Sequence, residues 1–270
     1  MRLGYIDYLN CYPFYFHMFK RKPVDGARIF PALPSDLNRM MASDELDMSP
    51  ISAATCADLG DDIALLPDFC LSSVGYVASV VLRSKVPIED LHGRVIGVSS
   101  ASKTSAVLLK VLLQRYYKVE PEYRTTSPSP LLTDIDAALI IGNDALTGSR
   151  QPAPYSYDLG ELWLRKTGFP VVFAVFAVRT DSLTKYGPKV GEVIESYRKS
   201  LSCLRTEKDN VISGARERYP DIIYDIDSYY RLLQFEFTDE LKRALRFYLD
   251  TAAEMKLLDP LGEVNYLKST

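Results

Sequence analysis

One local pattern recurs along the chain: a short apolar run, then a polar loop, then helical periodicity. Residues 2–6 lead into Asp7-Tyr8-Leu9-Asn10-Cys11 and the aromatic run 13–20. Residues 94–98 lead into Ser99-Ser100-Ala101-Ser102-Lys103-Thr104-Ser105 and an apolar-striped segment, 106–113. Residues 135–142 lead into Asn143-Asp144-Ala145-Leu146. Strands that alternate with helices in this way form largely parallel sheets with helices on their faces. Polar residues just past the strand ends of such sheets line clefts. The fold class expected is therefore α/β, with ligand contacts at these loops.

The length, 270 residues, is long for one core and suits two lobes. The apolar run 171–178 reads as a strand that returns the chain to the first lobe. Residues 1–83 plus 179–270 would form one lobe and 84–178 the other. Further strands are expected at 27–32, 46–49, 63–67 and 76–82. Helices are expected at 36–41, capped by Ser35, and from Pro50 through 54, with Ser49 as its cap. Helical periodicity dominates 189–219 and 226–258, with Thr238 as the N-cap of the last amphipathic segment.

Charge narrows the partners. Lys and Arg number 32 against 35 Asp and Glu, a net charge of −3 without a basic block, which argues against nucleic acid. An anionic ligand would need local donors in place of a general positive field. No apolar run reaches the length of a membrane span. The start of the chain runs straight into a strand and shows no signal-peptide pattern. Cysteines 11, 56, 70 and 203 form no C-x-x-C pair and match no zinc spacing. Free thiols suit a reducing cytosol.

Several residues are candidates for a site, each with a plainer alternative. Asn10 is either a helix cap or a ligand group. Ser49, before Pro50, is either a self-satisfied cap or part of an anion site together with Ile51 and Ser52. Ser79 either satisfies a neighbouring backbone group or faces a ligand. Ser99, Ser102, Thr104 and Ser105 surround the first free N–H groups of a helix, a suitable receptor for a carboxylate. Asn143 and Asp144 follow a strand end, where Asp144 is either a cap, a hydrogen-bond acceptor or a base. His17 sits in an aromatic run with nothing nearby to orient it.

The motifs taken together resemble one family. Tyr8-Leu9-Asn10-Cys11, Asp47-Met48-Ser49-Pro50-Ile51-Ser52, Leu65-Leu66-Pro67-Asp68, Lys103-Thr104-Ser105, Ile141-Gly142-Asn143-Asp144, Tyr157-Asp158-Leu159-Gly160 and Thr167-Gly168-Phe169-Pro170 occur in the order seen in chorismate dehydratases of the futalosine route to menaquinone. The resemblance implies a type II periplasmic-binding-protein fold with the ligand cleft between two lobes. It implies conversion of chorismate to 3-[(1-carboxyvinyl)oxy]benzoate and water, without a metal or redox cofactor. Asn10 and Ser79 would orient the reacting groups, and Asp144 or the substrate's own side-chain carboxylate would be the base. A sister family, the 1,4-dihydroxy-6-naphthoate synthases, shares the fold but typically opens with a Pro-Asn-Asp-type loop. The chain departs from the usual pattern at Asn143, where an Asp is commoner.

Overall fold

The computed structural model describes residues 1–147 and 153–268 as two mixed β-sheets with helices packed on their faces. The first sheet contains β1 (Arg2–Ile6), β2 (Arg28–Ala32), β3 (Met48–Ser52) and β4 (Ile63–Ser73). The second contains β5 (Val80–Ser84), β6 (Val95–Ser99), β7 (Glu122–Thr126), β8 (Ala137–Ile141) and β9 (Tyr155–Asp158). β10 (Val171–Arg179) and β11 (Leu233–Glu236) complete the first sheet. Strand order is β11-β4-β10-β3-β1-β2 in one sheet and β7-β6-β8-β5-β9 in the other. Within each sheet a parallel core (β2-β1-β3 and β7-β6-β8) meets an antiparallel strand, β10 or β5.

Sheet membership moves the crossing points from those read in the sequence. Residues 80–83 belong to β5 and so to the second sheet, and β10 belongs wholly to the first. The chain crosses between Ser73 and Val80 and returns just before Val171. Residues 76–79 are not strand, because Asp158 takes the backbone N–H groups of Val77 and Ala78.

Helices α1 (Tyr12–Lys20), α2 (Pro34–Ala42) and α3 (Cys56–Leu59) belong to the first half of the chain. Helices α4 (Lys103–Val111), α5 (Asn143–Leu146) and α6 (Leu159–Thr167) follow strands or loops of the second sheet. The C-terminal part supplies α7 (Thr180–Thr206), α8 (Lys208–Arg218), α9 (Ile226–Leu232) and α10 (Asp239–Glu254). The Thr238 hydroxyl caps α10 by accepting the Leu241 N–H at 3.4 Å, as its sequence suggests. α1 has Pro in its first turn and buries Phe14 against Phe176 of β10, ring centroids 4.3 Å apart. Tyr197 of α7 closes the same cluster. Fully burying each such aromatic side chain is worth roughly 1.5–3 kcal/mol.

One expected helix starts later than read, with a 3-10 turn at Ala53–Thr55 that runs into α3. Ser49 and Pro50 do not open a helix but lie within β3, where five consecutive residues pair with β10. Pairing of β3 with β1 is confined to Leu3 and Met48, so the missing N–H of Pro50 breaks no ladder on that side. Long-range pairing thus overrides a local cap signal. Ser49 donates its hydroxyl to the Pro50 carbonyl at 2.7 Å. It also fills the space beside Gly4, where an added Cβ would lie 2.1 Å from the Ser49 oxygen. Two strands escape the sequence reading. β11 interrupts the helical stretch 226–258, and β9 precedes α6. β4 continues past Pro67 because the register against β10 shifts there, leaving the proline in an irregularity of the ladder.

Candidate active site

The loop after β1 turns through a 3-10 turn, Leu9–Cys11, and α1 follows directly. Neither element has a side-chain cap, so Asn10 is not a capping residue. Its Oδ1 is buried without a partner among the described residues. The same holds for the Tyr8 hydroxyl and, from β4, for the Ser72 hydroxyl. All three residues line one cavity between the sheets. A buried polar atom without a partner costs about 1–3 kcal/mol. Three around one space make it the candidate site for a polar ligand.

The cavity has about 530 Å³ of empty space including its mouth, of which only about 50 Å³ admits the centre of a water. The two figures describe a narrow slot. The first sheet contributes Phe173 of β10 and Ser52 at the end of β3, and the second contributes Gly142 after β8. Ser102 and Ser105 of the α4 start and Ser79 of the crossing segment complete its polar lining. No acidic or basic side chain lines it among the described residues. The slot is electrically neutral and edged with hydroxyls and an amide.

Apart from that of Ser72, the serine hydroxyls of the lining are set by neighbours. The Asn38 side chain clamps Ser52, accepting its N–H at 3.0 Å and donating to its hydroxyl at 3.1 Å. Ser79 accepts from the Tyr229 hydroxyl at 2.8 Å, which leaves its own proton for the cavity. Ser102 caps α4 and lies 3.2 Å from the Ser105 oxygen. The Tyr8 phenol is pushed up by burial and further by the nearby Asp144 charge, so it remains a neutral donor. Its ring presses on Gly142, whose φ of 61° and lack of Cβ permit the contact. An added Cβ would lie 2.5 Å from the ring.

Of the residues singled out from the sequence, Asn10, Ser52, Ser79, Ser102 and Ser105 meet at this cavity. Ser49, Ile51, Ser99, Thr104, Asn143 and Asp144 are not part of its lining. Ser99 accepts the Ala101 N–H at 3.1 Å within its own loop. Thr104 accepts the Ala54 N–H at 3.1 Å, and Asn143 Oδ1 accepts the Leu9 N–H at 2.8 Å. Both latch one half of the molecule to the other. Ile51 is fully buried opposite Val175. Asp144 lies in the short α5, where its carbonyl accepts from Thr147. His17 bonds Ser196 through Nδ1 at 3.0 Å, well away from the slot. Tyr8, Ser72, Phe173 and Tyr229 were not foreseen as site residues. Tyr8 had a visible signal in its place beside Asn10, whereas Ser72 and Tyr229 sit in apolar stripes that read as core.

Two sheets joined by two crossings, with a polar-edged slot between them, define a two-lobed protein of the periplasmic-binding-protein class. The alkanesulfonate-binding protein SsuA of Xanthomonas axonopodis pv. citri, solved with MOPS, matches this fold with a TM-score of 0.68, covering 96% of this chain and 94% of that one at 13% identity. Within that class the chain belongs to the menaquinone biosynthesis family, whose model matches residues 1–254. A chorismate dehydratase of Thermus thermophilus is 32% identical over 222 residues, spanning 75% of this chain and 78% of the relative. A 1,4-dihydroxy-6-naphtoate synthase of Streptomyces coelicolor is 25% identical over 270 residues, spanning 92% of each. No helix of the described residues is long and apolar enough to cross a membrane.

Proposed function

We propose that the protein is a chorismate dehydratase, a hydro-lyase that converts chorismate to 3-[(1-carboxyvinyl)oxy]benzoate and water. The observation that carries this reading is the neutral slot edged by the unpartnered Tyr8, Asn10 and Ser72 groups. Kinship with the Thermus dehydratase supports it.

The chemistry fits such a slot. The C3–H bond breaks and its electron pair forms the new C3–C4 double bond. The C4–O bond breaks, and the hydroxyl leaves with a proton as water. Aromatisation of the ring drives the step, so strong acid or base is not needed. As C3 loses its proton, charge spreads through the conjugated ring into the ring carboxylate. Donors around that carboxylate stabilise the transition state more than the ground state. Ser102, Ser105 and the N–H groups that open α4 supply them. Asn10 and Ser79 orient the enolpyruvyl group and the departing hydroxyl, and the flat ring lies along Phe173.

With no acidic or basic side chain in the lining, the substrate's enolpyruvyl carboxylate takes the C3 proton and returns it to the leaving hydroxyl. Asp144, outside the lining, acts only through its field on Tyr8. The net reaction is a dehydration and calls for no redox partner. Four free thiols, three of them buried, fit a cytoplasmic setting.

The test is incubation of the pure protein with chorismate, followed by absorbance and mass spectrometry. Appearance of the carboxyvinyloxybenzoate without added cofactor is expected. Binding without turnover would replace the dehydratase reading with that of a binding protein for small carboxylates, a role that the SsuA-like fold favours.

A further inference from the structure

We infer that Tyr229, in the C-terminal α9, is the positioning residue that aims the Ser79 hydroxyl at the reacting end of the slot. The inference deepens the dehydratase reading and rests on it for its kinetic arm. Tyr229 is fully buried, and its ring packs against Tyr224 and Tyr230. Its hydroxyl donates to Ser79 Oγ at 2.8 Å. This one hydroxyl thus ties α9 to the crossing segment between the sheets, at a serine that lines the slot.

The direction of the bond matters. A serine hydroxyl has one proton and two lone pairs. With one lone pair taken by Tyr229, Ser79 keeps its proton to donate into the cavity. The backbone around Ser79 is fixed separately. Asp158 Oδ2 accepts the Ala78 N–H at 2.8 Å, holding Ala78 at a φ of 64°, and the Gly142 N–H donates to the Ser79 carbonyl at 2.8 Å. The backbone therefore has its own supports, and Tyr229 is left to choose the side-chain rotamer. The adjacent Tyr230 hydroxyl donates to the Leu9 carbonyl at 3.2 Å, so consecutive residues of α9 support both loops. Burial raises the Tyr229 phenol, with Ser79 and Asn10 partly opposing it, and the group stays a donor across the working pH range.

The experiment compares the wild type with Tyr229→Phe, Ser79→Ala and the double variant. Tyr229→Phe should lower kcat about 10- to 100-fold, as loss of a supporting hydrogen bond typically does, with KM within about 3-fold. The double variant should be no slower than Ser79→Ala alone. Additive losses, or wild-type kcat in Tyr229→Phe, would overturn the inference. Should Tyr229→Phe not fold, 3,5-difluorotyrosine at position 229 keeps the ring and makes the phenol more acidic. An alkaline fall in kcat should then move towards neutral pH, and an unmoved profile overturns the inference. Should the wild type not turn over chorismate, the dehydratase reading fails by itself. A crystal structure of Tyr229→Phe then decides: Ser79 Oγ spread over more than one rotamer supports the positioning role, and a single unchanged rotamer rejects it.

Discussion

The loop after β1 and the loop after β6 look alike in sequence, each a polar stretch at a strand end. They differ in what their polar atoms touch. In the first, Tyr8 and Asn10 present buried oxygens without partners to the slot. In the second, Ser102 and Ser105 bond each other and the helix start, Ser99 bonds its own loop, and Thr104 latches Ala54 of the other half. The contrast separates two tasks. A group already satisfied by the protein holds shape or binds by sharing, while an unsatisfied one waits for a ligand. In the proposed reaction the first loop acts on the reacting atoms, and the second receives a carboxylate.

The sharpest way to break the comparison is Asn10→Ala. Loss of a group that acts only in the transition state should lower kcat by about 100-fold or more, with a smaller effect on KM. A change confined to KM would move Asn10 to the binding side. Ser105→Ala should cost less, lowering kcat/KM for chorismate about 3- to 10-fold, because it removes one of several donors to the ring carboxylate. Thr104→Val leaves the Ala54 N–H buried without an acceptor, at a cost of about 1–3 kcal/mol. A lower Tm with kcat within about 2-fold is expected, since the Thr104 hydroxyl holds Ala54 and does not line the slot. Equal losses of activity from Asn10→Ala and Thr104→Val would erase the distinction.

The smallest effect concerns the strand that carries the first loop. Asp47 is buried beside the start of β1. Burial works to raise its carboxyl, but the Arg2 side chain and backbone N–H, together with the Ser182 hydroxyl, outweigh it and hold the group below its ordinary 3.8. The folded protein therefore binds this proton less tightly than the unfolded chain. The stability it contributes is complete above the unfolded value and drains as pH falls through the lowered folded one. Thermal melts between pH 3 and 6 should show this loss, and Asp47→Asn should flatten it. An unchanged acid profile in the variant would remove Asp47 from the account.

The contrast also explains what was readable in the sequence. Asn10, Ser52, Ser102 and Ser105 could be placed near a ligand because each follows a strand end, whereas Ser79, which reads as lying inside a strand, is left open by pattern and enters through the family resemblance. The division of labour among the hydroxyls could not be read, because it depends on partners far away in sequence: Thr104 on Ala54, Asn143 on Leu9, Ser79 on Tyr229. Ser49 misled for the same reason. Ser-Pro reads locally as a helix start, but pairing of β3 with β10 keeps it extended. Ser72 lies in a long strand among apolar neighbours, where nothing local distinguishes a cavity-facing hydroxyl from a core one. The crossing points were displaced by a few residues because 80–83 and 171–178 are equally apolar whichever sheet they join.

The central claim is that a neutral slot performs the dehydration without an acidic or basic side chain of its own. The pH dependence of kcat/KM for chorismate tests it most directly. The account predicts a flat profile from about pH 6 to 9, because the substrate carboxylates are already ionised and the buried Tyr8 and Tyr229 phenols are raised above their ordinary range. A rising limb centred between about pH 6 and 8 would reveal a titrating protein base and contradict it.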